Sequence, residues 1–168
     1  MDDHEKLALL ADASRYDLSC ACGTRRGTDH RKRSADGLWV YPTSLPRGGQ
    51  SIMLKTLLSN ACSNDCRYCP FRAGNDTPRV TLEPGTVARA FMDYYRRGGL
   101  HGIFLSSGVI GEADDTMDRM LAVARILRRR RDFRGFIHLK VLPGASDAAI
   151  EEALSLAHCV SLNVEAPT

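Results

Sequence analysis

The feature that most constrains this chain is a strict alternation of short apolar runs and amphipathic stretches, beginning near Gln50. Ser51–Ser59 (SIMLKTLLS) reads as a strand, and Glu83–Arg97 as a helix whose apolar stripe is Val87, Ala90, Phe91, Tyr94 and Tyr95. Pro84 suits the first turn of that helix and Gly98-Gly99 its end. His101–Ser107 predicts a second strand. Asp114–Arg131 predicts a second helix, with acidic residues at its start and arginines at its end, as the helix dipole favours. Phe136–Leu142 is a third strand, Ser146–His158 a helix capped by Ser146, and Cys159–Glu165 a fourth strand. This order implies parallel strands joined by right-handed crossovers. An open doubly wound sheet and part of a (β/α) barrel both satisfy it, and both put functional groups at the carboxyl ends of the strands.

Polar residues gather where that rule expects them. Asn60 to Cys69 follow the first strand, Ser106-Ser107-Gly108 end the second, and Asn163 and Glu165 end the fourth. On the fourth strand Ser161, Asn163 and Glu165 share one face and Val160, Leu162 and Val164 the other. By the same alternation His138 and Lys140 share a face of the third strand, with Lys55 similarly placed on the first.

The first fifty residues are less regular and read as an N-terminal extension, residues 1–50, on a domain over 51–168. A short helix near Glu5–Ala13 has Leu7, Leu10 and Ala11 on one face. A Gly-, Arg- and Ser-rich stretch follows, and Trp39-Val40-Tyr41 forms a short extended piece before Pro42 and Pro46 interrupt it. Four strands cannot close a barrel, and a last strand with no covering helix predicts a truncated domain.

Chemistry concentrates in Ala61-Cys62-Ser63-Asn64-Asp65-Cys66-Arg67-Tyr68-Cys69-Pro70. Thiolates three and then two residues apart can curl round one cluster, each on a different iron. Four cysteines saturate a 4Fe-4S cube, whereas three leave one iron open. A structural zinc site needs four ligands. Cys20, Cys22, His101 and His158 would supply the fourth only by folding back. A ferredoxin-like carrier fits the Cys-Pro ending but lacks a nearby fourth cysteine. Cys159 reads as a small buried hydrophobe, and Cys20 and Cys22 as reduced loop thiols or ligands of a second metal.

The C-x3-C-x2-C spacing, with Tyr68 before the last cysteine, resembles the signature of the radical S-adenosylmethionine (radical SAM) superfamily. The resemblance implies an α/β fold, a partial TIM-type barrel truncated after its fourth strand, and a 4Fe-4S cluster on Cys62, Cys66 and Cys69. It implies that S-adenosyl-L-methionine binds the open iron and is reductively cleaved to a 5′-deoxyadenosyl radical, with no catalytic residue beyond the cluster. Tyr68 then lies near the adenine. Ser106, Ser107 and Gly108 stand where the superfamily carries Gly-Gly-Glu against the methionyl amine, and here Val109 replaces the glutamate. Asn163 and Glu165 match the end of strand four that contacts ribose or carboxylate.

Longer segments resemble a narrower family, the DNA modification or repair radical SAM proteins. They are Tyr16–Ala21, KTLLSNACSNDCRYCPFR, GIFLSSGV, HLKVLPG and SLNVEAP. That family has a biotin synthase-like core, and its members are often encoded beside a uracil-DNA glycosylase-like protein. The resemblance therefore points to DNA and such a protein as partners, with a flavodoxin or ferredoxin as reductant. Two other readings stand beside it. One is a biotin synthase-like enzyme acting on a small metabolite. The other is a non-catalytic Fe-S module binding DNA through Arg25, Arg26, Arg31, Lys32 and Arg33.

Composition narrows the classes further. A net charge of +3 does not by itself specify a nucleic-acid partner, although Arg25–Arg33 and Arg128–Arg134 are basic runs. No run of about 18 apolar residues is present, and the MDDHEKLALL start lacks a secretory h-region. Cysteines crowded into one loop suit a reducing cytoplasm and metal binding better than disulfides.

Overall fold

The computed structural model describes residues 1–16, 31–34, 37–44 and 48–162. Its centre is one sheet in the order β1 (Lys32–Arg33), β2 (Trp39–Ser44), β3 (Gln50–Leu57), β4 (Leu100–Ser106), β5 (Phe136–Val141) and β6 (Cys159–Leu162). The pairs β3–β4, β4–β5 and β5–β6 are parallel, as the alternation requires. The crossovers are α2 (Pro84–Arg96), α3 (Ala113–Arg125) and α4 (Asp147–Leu156), while α1 (Asp3–Ala13) opens the chain. No described helix is long and apolar enough to cross a membrane.

The described residues before Gln50 include α1 and the strands β1 and β2. The Asp2 carboxylate accepts from Glu5 N and the Glu5 side chain returns the bond to Asp2 N, a reciprocal cap that starts α1. Leu7, Leu10, Ala11 and Ala13 are buried in the common core. β2 pairs antiparallel with β3 from Val40↔Leu54 to Ser44↔Gln50. Pro42 does not interrupt it. β1 pairs only with Trp39 and Val40, so Pro42 lies beyond the paired edge, where a missing N–H costs no ladder bond.

The sheet's two faces differ in kind. Leu54, Ile103 and Ile137 lie abreast across β3, β4 and β5, as do Thr56, Leu105, Leu139 and Val160 one step on. All but Val160 are buried, and the aliphatic members form one core with Val87, Phe91, Met117, Met120, Leu121 and Leu127 of the helical layer. On α2 the buried stripe is Val87, Ala88, Phe91 and Met92, rotated from the predicted one. Tyr95 stays 38% exposed, because it stacks on Phe91 at 6.1 Å and meets Phe133 edge-on at the rim. The opposite face carries the row Lys55, Phe104, His138 and Cys159, then Lys140 beside Ser161.

The second predicted helix ends differently. α3 stops at Arg125 and continues as a π-turn over Ile126–Arg130, where Arg131 N reaches back to Ile126 O. Arg128 fixes this turn by donating to the carbonyls of Phe133, Gly135 and Leu156. α4 starts as predicted, with the Ser146 side chain accepting from Ala149 N.

Candidate metal and cofactor site

The cysteine loop leaves β3 at Leu57 and is closed at its base like a drawstring. Ser59 forms an antiparallel bridge with Thr81, and their hydroxyls lie 2.8 Å apart. The buried Asn60 amide donates to Pro78 O and accepts from Val80 N, so one side chain clamps both ends. Between these points Cys69 N donates to Cys66 O, Ala73 N to Asn64 O, and Asn75 Nδ2 and Thr77 Oγ1 to Pro70 O.

Arg79 organises the interior of the loop. Its Nη1 donates to Asn60 O at 2.8 Å and Phe71 O at 2.7 Å. Its Nη2 donates to Arg72 O and Asn75 O, both at 2.8 Å. A guanidinium is the one side chain whose rigid fork can serve four carbonyls at once. Sequence reasoning missed it, because an arginine beyond a loop carries no periodicity or spacing signal.

The loop is pinned from the other side by the end of β4. Ser63 N donates to Val109 O, Gly111 N to Ser63 Oγ, and Gly108 N to Ser59 O. Gly108 is required by space: a Cβ there would stand 2.3 Å from Ala61 O and 3.1 Å from Cys62 Cβ. Val109 is buried just past the end of β4.

Cys62, Cys66 and Cys69 are half-buried, none is in a disulfide, and all three line one cavity of about 130 Å³. Tyr68, Ser106, Ser107, Gly108 and Lys140 line it as well. Residues separated by more than seventy positions thus meet at the carboxyl ends of β3, β4 and β5. Ala13 and Tyr16 supply a wall from the N-terminal segment, with Tyr16 edge-on to Phe71 at 5.5 Å; neither was predicted. Tyr68 is 67% exposed at the rim.

Among the described residues no three Cys, His, Asp or Glu side chains converge closely enough to hold one metal ion. Cys69 Sγ already accepts from Phe71 N at 3.4 Å, the kind of bond that tunes sulfur ligands in iron–sulfur sites.

At the end of β4 most acceptors are committed. Ser106 O takes Leu58 N, Gly108 O takes the Ser107 hydroxyl, and Val109 O takes Ser63 N. Among the described residues no hydrogen bond reaches Ser107 O.

The other predicted residues fall into three groups. Lys140 is on the cavity wall, whereas Lys55 is buried lower on the same face, its Nζ 5.0 Å from the ring centroids of Tyr41 and Phe104. His138 lies below Lys140, with Nε2 2.8 Å from Ser161 Oγ and 3.7 Å from Cys159 Sγ. Cys159 is therefore half-buried beside a polar ring, not a fully buried hydrophobe. His158 is at the other end of the sheet, where burial and then Arg128 hold its pKa below the ordinary range. His101 likewise lies at the amino end of β4, so neither histidine joins the triad. Asn163, Glu165, Cys20, Cys22, Arg25 and Arg26 lie outside the described residues.

Of the proposed N-terminal basic surface, Arg25 and Arg26 lie outside the described residues, Lys32 and Arg33 are exposed, and Arg31 is buried. The Arg31 side chain is 3% exposed, paired to Asp12 at 3.2 Å and laid over Trp39 at 4.1 Å. Arg33 covers Trp39 at 4.2 Å and donates to Gly37 O. Arg31 is thus taken up in packing, while Arg33 covers the Trp39 ring from the exposed side.

Parallel strands with their helices, and a cavity at the strand carboxyl ends, are an arrangement found among solved structures. The chain shares its fold with methylornithine synthase. The match to that enzyme (PylB) has a TM-score of 0.54 at 17% identity, and covers 66% of this chain and 32% of the other. HydG, a maturase of the FeFe-hydrogenase, matches with a TM-score of 0.49 at 18% identity, over 62% of this chain and 23% of the other. The chain thus spans under a third of the length of either protein. No family model matches the sequence, and no curated protein matches it.

Proposed function

We propose that this chain is part of a radical SAM enzyme, with Cys62, Cys66 and Cys69 holding a 4Fe-4S cluster whose fourth iron is open to S-adenosyl-L-methionine. The observation that carries the reading is the meeting of all three cysteines and the Ser106-Ser107-Gly108 strand end on one cavity. A fold shared with methylornithine synthase agrees with the partial barrel that the cysteine signature implies. The bound group would supply reductive cleavage of the sulfonium to a 5′-deoxyadenosyl radical.

The chain's own residues do the positioning. Arg79 and Asn60 hold the base and interior of the loop that carries the three thiols. Ser107 O offers an acceptor for an ammonium group, in place of the carboxylate that Val109 cannot provide. Tyr68 offers an exposed aromatic face for a purine ring. Phe71, Leu57, Val109, Val141 and Leu142 give the cavity apolar walls that limit water. A flavodoxin- or ferredoxin-type protein would supply the electron. DNA modification or repair is the substrate class the narrower resemblance supports.

Anaerobic reconstitution with iron and sulfide tests the reading. The expected result is a 4Fe-4S spectrum that S-adenosyl-L-methionine perturbs, lost in Cys62→Ala, Cys66→Ala and Cys69→Ala and kept in Cys159→Ala. An unperturbed cluster would favour an electron carrier, and a zinc-loaded protein would end the radical reading.

A further inference from the structure

The amino ends of the strands, opposite the cysteine cavity, carry a second chemically distinct surface. Three consecutive arginines, Arg129, Arg130 and Arg131, are exposed where the π-turn leaves α3. Among the described residues none of the three has a carboxylate partner within salt-bridge distance. Their neighbours are committed: Arg125 to Glu152 and Asp118, Arg119 to Glu83, and Arg128 to three carbonyls and His158. Among the described residues Arg134 pairs only with Asp132, and at 80% and 77% exposure that contact is weak enough to exchange. Arg134, Arg128 and His158 also line a small cavity, of about 280 Å³, beside the turn.

We propose that Arg129, Arg130, Arg131 and Arg134 form a face that binds the phosphodiester backbone of a nucleic acid. Planar guanidinium forks match phosphate oxygens two at a time. The surface offers charge without an anchor, because the adjacent apolar side chains Leu127 and Phe133 are only 0% and 2% exposed. A protein partner would call for a central hot spot, and stable membrane attachment for an apolar wedge or lipid chain beside the charge. A phosphate backbone binds by charge alone. The turn keeps this face because Arg128 is bonded inward, which turns the following residues out. The face bears on the DNA-directed reading above, yet it requires no cluster, so the two can fail separately.

The test is fluorescence anisotropy of a short labelled duplex DNA of mixed sequence, titrated with the full chain across a salt series. Each phosphate contact contributes about 0.9 to the slope of log K against log salt, so the Arg129→Gln/Arg130→Gln/Arg131→Gln variant should lose about 2.7 from that slope. Arg134→Gln alone, exposed and safe for folding, should lose about 0.9. Arg89→Gln/Arg96→Gln on α2 should leave it unchanged. An equal loss in the α2 control, no binding by the wild type, or binding to anionic vesicles in place of DNA would each overturn the proposal. S-adenosyl-L-methionine cleavage by the reconstituted protein, measured in parallel, reports on the radical reading alone.

Discussion

Removing the Arg79 guanidinium should untie the cysteine loop while leaving the sheet intact. Arg79→Met keeps the aliphatic stem and deletes four charge-assisted bonds of 2.7–2.8 Å, all to loop carbonyls. A hydrogen bond from a charged donor contributes about 1.5–3 kcal/mol. The loop is only part-buried, so water can take over some of the carbonyls. Counting two of the four bonds at the lower figure gives a loss of about 3 kcal/mol. At about 1.4 kcal/mol per factor of ten, the open loop becomes roughly a hundred times more populated. Native-state hydrogen exchange reads this directly. The Cys69 and Ala73 amides, bonded to Cys66 O and Asn64 O, should lose protection by about that factor. The Ile103 and Leu105 amides of β4 should keep theirs. Arg79→Lys should restore only part of the protection, because an ammonium cannot fork across four acceptors. If the Cys69 and Ala73 amides exchange in Arg79→Met as slowly as in the wild type, the loop is held by something else.

Three further outcomes follow from the packing. Gly108→Ala should destabilise the protein by about 1–3 kcal/mol in chemical denaturation, since the new methyl meets Ala61 O and Cys62 Cβ; an unchanged midpoint would refute the contact. Arg125→Met breaks the fork to Glu152 (2.6 Å for both bonds) and the contact to Asp118, but Arg125 and Glu152 are 31% and 34% exposed and Asp118 69%. Solvent screening limits the expected cost to about 1 kcal/mol, and a double-mutant cycle with Glu152→Gln should recover most of it as coupling. Asp114 accepts from Ser146 N, which holds its carboxyl below the ordinary 3.8. A lowered carboxyl pKa stabilises the fold above that value and ceases to do so as pH falls through it. The stability gap between wild type and Asp114→Ala should therefore be present at neutral pH and shrink on acidification below about 4. A gap constant with pH would argue against the carboxylate's part.

The parallel half of the fold was legible because each element buries a periodic face. Val87, Phe91, Ile103, Leu105 and Leu139 are apolar at the spacing their element requires, and all are buried. The antiparallel strands were harder to read. β1 has two residues and β2 contains Pro42, so neither offers the alternation that marks a strand. The cysteines announced themselves by spacing, and Ser106-Ser107-Gly108 by position at a strand end. Arg79, Tyr16 and Ala13 did not, because their roles depend on which carbonyl or wall they meet after folding. Arg31 misled for a related reason: charge in a sequence looks like surface until a Trp39 ring and an Asp12 carboxylate take it inward.

The pairing of β2 with β3 sets the direction in which this architecture can be extended. A closed barrel seals itself by joining its first parallel strand to its last, and β2 already occupies that seam. Among the described residues, only the two-residue β1 lies beyond β2. Among the described strands, the edge left to a further parallel partner is therefore that of β6, the strand whose Ser161 stands beside Lys140.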